Sequence, residues 1–285
     1  MEYDEQFKLN FEKFKIKYKE YFTNNKIPSE EFLSWFIGFV EGEGSFIIDG
    51  RNNLQLVISQ GMHDINILNI IKEELGFGRV IKQGKRTYRY IVEQKKLLEL
   101  IILIFNGNMI FPTRIKRFKL FLEVFNKKAI KGKIILKPIE LKQFNKLPSL
   151  DNQWLSGLID SEGCFYVSLS KLNNNFRFSF LLSQKGIDNL PIFSKILLLL
   201  KSGFIREHHK KGNYEFIITS LKSIYNSNLF YYLDKYNLKT MKYYSYLLWK
   251  KIGNDIKNKQ HLDPAFNRLK LIEEIKLVNY IKKQL

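Results

Sequence analysis

The spacing of hydrophobic residues along the chain predicts the same series of elements twice. Each series begins with an apolar helical segment and continues into two stretches in which apolar and polar residues alternate, as in a β-hairpin. A second helix, a second hairpin and two closing helices follow, so each half has the order α-β-β-α-β-β-α(-α). The predicted first hairpins cover residues 46–58 and 165–183, the second helices Asp64–Leu75 and Asp188–Leu200, and the second hairpins Phe77–Val92 and Phe204–Thr219.

A repeated motif marks the start of each half. The segment Trp35–Phe46 recurs as Trp154–Phe165 at an offset of 119 residues, with tryptophan, glycine, glutamate and phenylalanine at matching positions. Further matches follow both motif copies in the same order, so the repeat is not a coincidence of composition. We therefore predict an α+β fold with two related αββαββα repeats, each with a four-stranded antiparallel sheet. Ser29 and Asp151 are the predicted N-caps of the motif helices. The companion matches are 58–60 with 182–184, 88–92 with 214–218, and Thr113 with Thr240.

The remaining segments complete the predicted organisation of domains. The first 28 residues are highly charged with scattered aromatic side chains, which predicts a helical extension, and the joint between the repeats is rich in lysine. A last amphipathic helix begins at Asp263-Pro264. The predicted segments are 1–28 for the extension, 29–130 for the first repeat, 131–148 for the basic linker, 149–258 for the second repeat and 259–285 for the last helix.

Composition and charge narrow the class of protein. Among 285 residues, 45% are hydrophobic, which supplies a core and excludes a disordered chain, and a single cysteine excludes a disulfide scaffold and a cysteine-rich zinc module. The formal net charge of +19 predicts a polyanionic partner, with nucleic acid ahead of an anionic membrane, although a merely basic surface is the alternative. No apolar run is long enough to span a bilayer and the first residues do not resemble a secretory signal, so we expect an intracellular protein without a membrane partner.

The glycines and acids of the motif predict close helix packing and a metal site. Gly38 with Gly42, and Gly157 with Ser161, put small residues on one helical face, which lets the two motif helices approach closely. Glu43 and Glu162 come at the helix C-termini, where the helix dipole disfavours a carboxylate. Two such carboxylates brought together are stabilised by a divalent cation such as Mg²⁺.

The alternative for Glu43 and Glu162 is that each caps a turn or pairs with a lysine. Glu41 and Asp160, two residues earlier in each motif, are interpreted as helix-end polar or capping groups.

The polar faces and loops of the hairpins form a candidate nucleic-acid surface. Arginine, glutamine, asparagine and serine side chains can contact base edges, and lysine and arginine near loops can contact phosphates, whereas a solvated strand face is the alternative for any single residue. The candidates in the first repeat are Asp49, Arg51, Asn53, Gln55, Ser59, Lys82, Lys85, Arg86 and Arg89. Those in the second are Tyr166, Ser168, Ser170, Lys171, Arg177, Ser179, Arg206, His208, Lys210 and Lys211.

The two motifs resemble the signature motifs of the LAGLIDADG homing endonucleases, in the single-chain form with two repeats, over about residues 30–258. This resemblance implies that the motif helices form a pseudo-twofold interface, that each sheet is a saddle lying in the major groove of a long asymmetric DNA duplex, and that the chain acts as a monomer. It implies that Glu43 and Glu162 bind the catalytic metal, with the backbone carbonyls of Gly42 and Ser161 contributing. The resemblance further implies that both DNA strands are hydrolysed with Mg²⁺, leaving short 3′ overhangs. It also implies that Ca²⁺ can occupy the metal site without supporting catalysis.

Further catalytic residues follow from the same resemblance. Gln60 and Gln184 match the polar residue that ends the second strand near the active site of the family. A basic residue in the helix after the second hairpin corresponds to Lys242, and in the first repeat Lys116 lies one position away from the matching place.

Two other functions remain open at this stage. Related proteins act as RNA maturases that assist splicing of their host intron, so intron RNA is a possible partner, with or without DNA cleavage. A generic basic RNA-binding protein would explain the charge but not the repeated motif.

The abundance of residues with A/T-rich codons predicts an organellar genome, and hence an organellar (mitochondrial) location.

Overall fold

The computed structural model describes residues 8–132, 134–169, 175–208, 211–262 and 268–280. Contacts divide the chain into two compact units, Met1–Ser161 and Glu162–Leu285. The first unit contains α1 (Glu12–Tyr21), α2 (Glu30–Glu43), β1 (Gly44–Ile48), β2 (Leu54–Gly61), α3 (Ile65–Leu75), β3 (Arg79–Lys82), β4 (Thr87–Val92), α4 (Lys95–Phe105), α5 (Pro112–Ala129) and, except for its last residue, α6 (Trp154–Glu162). The second unit contains β5 (Gly163–Leu169), β6 (Phe176–Lys185), α7 (Leu190–Leu200), β7 (Phe204–Glu207), β8 (Asn213–Thr219), α8 (Leu221–Asn226), α9 (Leu229–Lys235), α10 (Lys242–Lys257) and α11 (Arg268–Tyr280).

Each unit has one four-stranded antiparallel sheet, with strand orders β1-β2-β4-β3 and β5-β6-β8-β7. The two orders are the same, and the α+β class and the two predicted repeats are confirmed. In both units a short 3₁₀ turn, Met62–Asp64 or Ile187–Asn189, comes before the helix that follows the first hairpin. The second repeat differs at its end, where α8 and α9 take the place of the single helix α4.

The core of the first unit lies between one face of its sheet and the helices. Phe46 on β1 makes edge contacts with Phe105 of α4 and with Phe118 and Phe121 of α5, at ring-centroid distances of 5.2–5.3 Å. Alternation along the strands produces this arrangement, because every second side chain points to the same face of the sheet. The side chains that alternate with these point to the opposite face of the sheet, which is here called the open face.

The second unit uses its sheet in the same way. Phe178 stacks on Trp249 of α10 at 4.2 Å, and Phe165 packs against both Trp249 and Tyr246. The indole Nε1 of Trp249 also donates a hydrogen bond to the carbonyl oxygen of Tyr166 at 3.0 Å, which fixes α10 across β5. Large aromatic side chains on both layers give the closed face its hydrophobic contacts.

The N-terminal extension contains a helix that packs on the first unit. Phe14 and Tyr18 of α1 are buried, and the hydroxyl of Tyr18 donates to the carbonyl oxygen of Leu75 at 3.1 Å. Asn108 exchanges two hydrogen bonds with the backbone of Asn10, each 2.9 Å long. The extension is thus anchored at both ends of α1.

The linker between α5 and α6 has no helix or strand in its described part, 130–132 and 134–153. Two asparagines attach it: Asn126 pairs with the backbone of Ile139, and Asn106 bonds to the carbonyl of Glu140 and the amide of Lys142. Such amide side chains satisfy backbone groups that have no ladder partner.

The helix boundaries confirm one predicted cap and correct the other. Ser29 accepts a hydrogen bond from the amide of Phe32 at 3.1 Å, as an N-cap does. Asp151 is not a cap, because Asn152 accepts from the amide of Trp154 at 2.9 Å while Asp151 pairs with Ser149. The start of the last helix at Asp263-Pro264 lies outside the described residues.

Candidate active site

The motif helices α2 and α6 cross at their glycines. A Cβ atom placed on Gly38 would overlap the carbonyl oxygen of Trp154, and one on Gly157 would overlap that of Trp35. The two backbones therefore touch with no side chain between them. The predicted close approach of the motif helices is confirmed at these two positions.

Two tryptophan–carboxylate pairs fasten the same helices. The indole Nε1 of Trp35 donates to Asp160 at 2.8 Å, and that of Trp154 donates to Glu41 at 2.6 Å. The interpretation of Glu41 and Asp160 as helix-end polar or capping groups is corrected in part: both lie near the ends of their helices, but both carboxylates are buried and accept hydrogen bonds from the facing helix. The signal for the pairing was the repeated spacing of a tryptophan and an acid six residues later in both motifs.

Glu41 also joins the motif helices to the start of α5. Its carboxylate also accepts the backbone amides of Ile110 and Phe111, both at 2.7 Å, at the start of α5. Complete burial raises the pKa of Glu41 to about 7, and the four influences that oppose the rise are the three N–H donors and the nearby charge of Arg114. Glu41 is thus a structural acid that joins α2, α5 and α6.

Glu43 and Glu162, by contrast, are partly exposed and end their helices. In the second unit, the side-chain amide of Gln184 donates to the carboxylate of Glu162 at 3.2 Å. Gln60 has the matching position on β2 and is buried. No cluster of three or more histidine, cysteine, aspartate or glutamate side chains able to hold a metal occurs among the described residues.

An arginine that the sequence analysis missed lies beside the first motif. Arg114 donates to the carbonyl oxygens of Gly42 and, at 3.5 Å, of Gly44, and Arg117 donates to that of Phe46 at 2.8 Å. Both line a cavity of about 260 Å³ next to the start of β1. The signal was present, because Ile115 and Phe118 mark the buried face of α5 and the two arginines flank it.

The predicted basic residues lie in different surroundings. Lys116 is exposed on α5, whereas Lys242 is the first residue of α10 and is buried, with 8% of its surface exposed. Lys116 lies one position beyond the place that matches Lys242 and two positions beyond Arg114. Because successive helical residues point about 100° apart, its side chain points away from the face that Arg114 occupies.

The open face of the first sheet contains most of the predicted candidates on its strands. Strand register puts Ile47 opposite Gln55 and Ser59 opposite Arg89, so these four residues share one face. Arg79 lies on this face as well and was not predicted. Asp49, Arg51 and Asn53 form the exposed β1–β2 turn, Lys85 and Arg86 the β3–β4 turn, and Lys82 faces the side of Gln60.

Asp49 has a structural task in its turn. Its carboxylate accepts the backbone amides of Arg51 and Asn53 and the side-chain amide of Asn53, at 2.7–2.8 Å. These bonds lower the pKa of Asp49, with the backbone amide of Asn53 as the largest cause. The carboxylate therefore holds the turn in shape.

The open face of the second sheet carries a cluster around an acid that was not predicted. Tyr166, Ser168, Ser179 and the exposed Arg177 share this face, as does Arg206, which pairs with the buried Glu215. His208 is 3.7 Å from the same carboxylate, and Lys211 is exposed in the β7–β8 turn. Ser170, Lys171 and Lys210 lie outside the described residues.

The family assignment rests on both halves of the chain. The sequence profile of the family described as LAGLIDADG endonuclease matches residues 36–125 and 155–253, which together are well over half of the chain. The chain belongs to the LAGLIDADG endonuclease family. The family resemblance expected from the two motifs is thereby confirmed, and the two matched segments coincide with the two sheets and their helices.

Relatives of this LAGLIDADG chain are intron-encoded proteins. It is 38% identical over 255 residues to the Neurospora crassa protein named "Probable intron-encoded endonuclease 4", covering 85% of the chain and 45% of that protein. It is 25% identical to "Intron-encoded DNA endonuclease ai2b" of Dictyostelium discoideum, with 74% of each covered. A third relative, "Intron-encoded RNA maturase bI4" of Saccharomyces cerevisiae, is 24% identical over 62% of the chain and 26% of that protein. The chain thus spans less than half the length of the first of these relatives.

Solved structures share the fold. The I-LtrWI LAGLIDADG homing endonuclease bound to its target DNA has a TM-score of 0.70 at 23% identity, covering 86% of this chain and 97% of that one. The I-GzeII endonuclease in complex with its DNA target has a TM-score of 0.70 at 19% identity, covering 86% of this chain and 96% of that one.

Among the described residues of this LAGLIDADG chain, no helix is both long and apolar enough to cross a membrane.

Proposed function

We propose that this chain is a site-specific endonuclease that binds a long asymmetric DNA duplex and hydrolyses both strands with Mg²⁺, leaving short 3′ overhangs. The observation that carries the proposal is the pair of partly exposed acids, Glu43 and Glu162, each five residues beyond a glycine at which the motif helices touch. A partly exposed carboxylate at the end of a buried helix is available to a ligand, unlike Glu41 or Asp160. The proposed protein acts as a monomer, since one chain contains both repeats.

The donor set fits a hard divalent cation. Mg²⁺ is held in proteins by one or two carboxylates with water and substrate phosphate, so a site of two glutamates needs no third acidic ligand. Gly42 and Ser161 are the proposed carbonyl ligands, although the Gly42 oxygen already accepts from Arg114. Bound metal would polarise the scissile phosphate and lower the pKa of a water nucleophile.

The protein residues around these acids have complementary tasks in this proposal. Gln184 orients the carboxylate of Glu162 through its hydrogen bond, and Gln60, at the matching position on β2, is proposed to do the same for Glu43. Arg114 in the first repeat and Lys242 in the second supply positive charge that stabilises the developing charge on the phosphate. Lys116 is a weaker candidate because it is exposed on another side of α5.

The open sheet faces are the proposed DNA-binding surface. Their polar residues contact base edges, and the basic turns at Arg51, Lys85, Arg86 and Lys211 contact phosphates. Ser170, Lys171 and Lys210, which lie outside the described residues, remain proposed DNA contacts.

The test is cleavage of a randomised duplex library in Mg²⁺, compared with Ca²⁺ and with EDTA, followed by sequencing of the ends. We expect one long site cut only in Mg²⁺, with staggered 3′ ends. Glu43→Gln and Glu162→Gln should each lower the cleavage rate at least about a thousandfold while specific binding in Ca²⁺ persists. Glu31→Gln, an exposed glutamate in the first turn of α2, is the matched control and should cut normally. Normal cutting by either acid variant would refute the assignment.

RNA binding is the second candidate, because one relative is named as an intron-encoded RNA maturase. The matching test is binding and splicing of the intron in which the gene lies. Failure to cut any duplex, together with tight binding of that RNA, would favour the maturase. The intron-encoded relatives and the A/T-rich composition support an organellar site of action in either case.

A further inference from the structure

One carboxylate on the open face of the second sheet is buried beside an arginine and a histidine. Glu215 lies at the centre of β8, opposite Ser183 on β6 and opposite Arg206 on β7. Its side chain is 8% exposed. A buried carboxylate needs partners to offset the loss of hydration, and here the strand register supplies them.

The pairing fixes the guanidinium of Arg206 by one edge. Nε and Nη2 of Arg206 both donate to Oε2 of Glu215, at 3.0 and 2.9 Å. The other carboxylate oxygen accepts from the hydroxyl of Ser183 at 3.4 Å and lies 3.7 Å from Nε2 of His208. Glu215 is thus contacted by residues of both neighbouring strands and of the β7–β8 turn.

The far edge of the same guanidinium faces solvent. The Arg206 side chain is 56% exposed, and within the described residues no hydrogen bond uses its Nη1 group. A guanidinium is planar and rigid, so fixing the Nε edge also fixes the direction of the two terminal nitrogens. These nitrogens present a pair of parallel donors on the open face.

The first sheet has the opposite charge at the matching place. Arg89 on β4 stands where Glu215 stands on β8, opposite Ser59 and Ile81. The Nε atom of Arg89 is buried and has no hydrogen-bond partner among the described residues. Only the second sheet therefore holds an arginine by a buried acid at this place.

We propose that Arg206, oriented by Glu215, reads one guanine of the duplex by donating to its O6 and N7 atoms. The inference rests on the proposed function of the chain as a DNA-binding endonuclease. Guanine is the base that offers two adjacent acceptors in the major groove, which matches a fixed pair of donors. Glu215 is a positioning residue, since it acts through Arg206, and it reduces the side-chain entropy lost on binding.

The experiment begins with the target site of the unaltered protein, found by library cleavage. Each base pair of that site is then replaced in turn, and binding is measured in Ca²⁺ by competition. We expect a guanine at one position in the half contacted by the second repeat. Arg206→Ala and Arg206→Lys should each reduce discrimination at that position about tenfold or more and leave the other positions unchanged.

Glu215→Gln tests the positioning role. It should weaken discrimination at the same position about tenfold, and it should have no further effect on preference in an Arg206→Ala background. Glu274→Gln is the matched control, because Glu274 also pairs with a cation, Lys251 at 2.8 Å, but on the helical side of this unit. Arg206→Lys keeps a cation beside Glu215, so it tests the base contact even if Glu215→Gln does not fold.

Each alternative outcome is distinct. A uniform loss of affinity at all positions would mean that Arg206 contacts a phosphate, which overturns the inference and leaves the proposed function intact. Unchanged preferences in all three variants would overturn it as well. Absence of any discrete site for the unaltered protein would overturn the proposed function itself.

Discussion

At the scale of single residues, the acids of the two motifs divide into two chemical classes by burial. Glu41 and Asp160 are buried and accept indole N–H groups, whereas Glu43 and Glu162, two residues further along, are partly exposed. Two residues along a helix turn the side chain by about 200°, which separates a packing position from an exposed one. The sequence pattern shows four acids, and only their surroundings distinguish structural from candidate catalytic ones.

The raised pKa of Glu41 predicts a specific pH dependence of stability. Its pKa is about 7 in the folded chain against an ordinary value of 4.5, so the folded state binds this proton more tightly. The stability from this group is fully present below about pH 4.5 and is lost as the pH rises to about 7, at about 1.4 kcal/mol per unit of pKa difference.

The measurement is urea unfolding of the unaltered chain and of Glu41→Gln between pH 4.5 and 8. Glutamine does not titrate, and its amide nitrogen is a donor that cannot accept an N–H group, so the variant loses either the bond from Trp154 or those from the backbone and is less stable at low pH. We expect its deficit to shrink by a few kcal/mol as the pH rises. A deficit independent of pH would contradict the raised pKa of Glu41.

At the scale of elements, the first unit depends on the direct contact between α2 and α6. The absence of side chains at Gly38 and Gly157 lets carbonyl oxygens of one helix touch the Cα atoms of the other. The tryptophan–acid pairs then set the rotation of each helix. Close packing at the glycines and the directional tryptophan–acid hydrogen bonds thus both favour the same arrangement of α2 against α6.

Gly38→Ala and Gly157→Ala should each destabilise the chain by about 3 kcal/mol or more, because the added methyl group meets backbone that cannot move aside. The matched control is Gly84→Ala in the β3–β4 turn, where a Cβ atom meets nothing within 4 Å. Thermal or urea unfolding measures the difference. Equal stability of Gly38→Ala and Gly84→Ala would show that the helices do not touch as described.

At the scale of the whole molecule, charge and repetition have different consequences. The net charge of +19 acts over the entire surface and attracts any polyanion, whereas the two open sheet faces differ residue by residue. Arg89 in one sheet and Glu215 with Arg206 in the other are the clearest difference. The two copies of the unit therefore present unlike surfaces.

The charge predicts a steep dependence of DNA affinity on salt. If the surface neutralises six or more phosphates, affinity should fall about a thousandfold or more between about 50 and 200 mM salt. Fluorescence anisotropy in Ca²⁺ with a specific and an unrelated duplex measures this. Both should show similar slopes, because the phosphate contacts are common to them, and a change of only a few-fold would contradict a polyanion surface.

The sequence by itself determined the repeat, the order of helices and strands and the family. Hydrophobic alternation and the two motif copies are local signals, and they persist whatever the rest of the chain does. Ser29 as an N-cap also followed, since a cap depends on a few neighbouring residues, and the close approach of the two helices followed from the glycine that both motif copies share.

Only the tertiary structure decided which polar groups meet. The pairing of Glu41 with Trp154 joins residues 113 positions apart, and Arg114 reaches Gly42 across 72 positions. The hydrogen bonds of Glu215 depend on the register of three strands, which shifts to the other face with a slip of one residue. Contacts between distant segments depend on how whole elements pack, and that information lies in no single stretch of the chain.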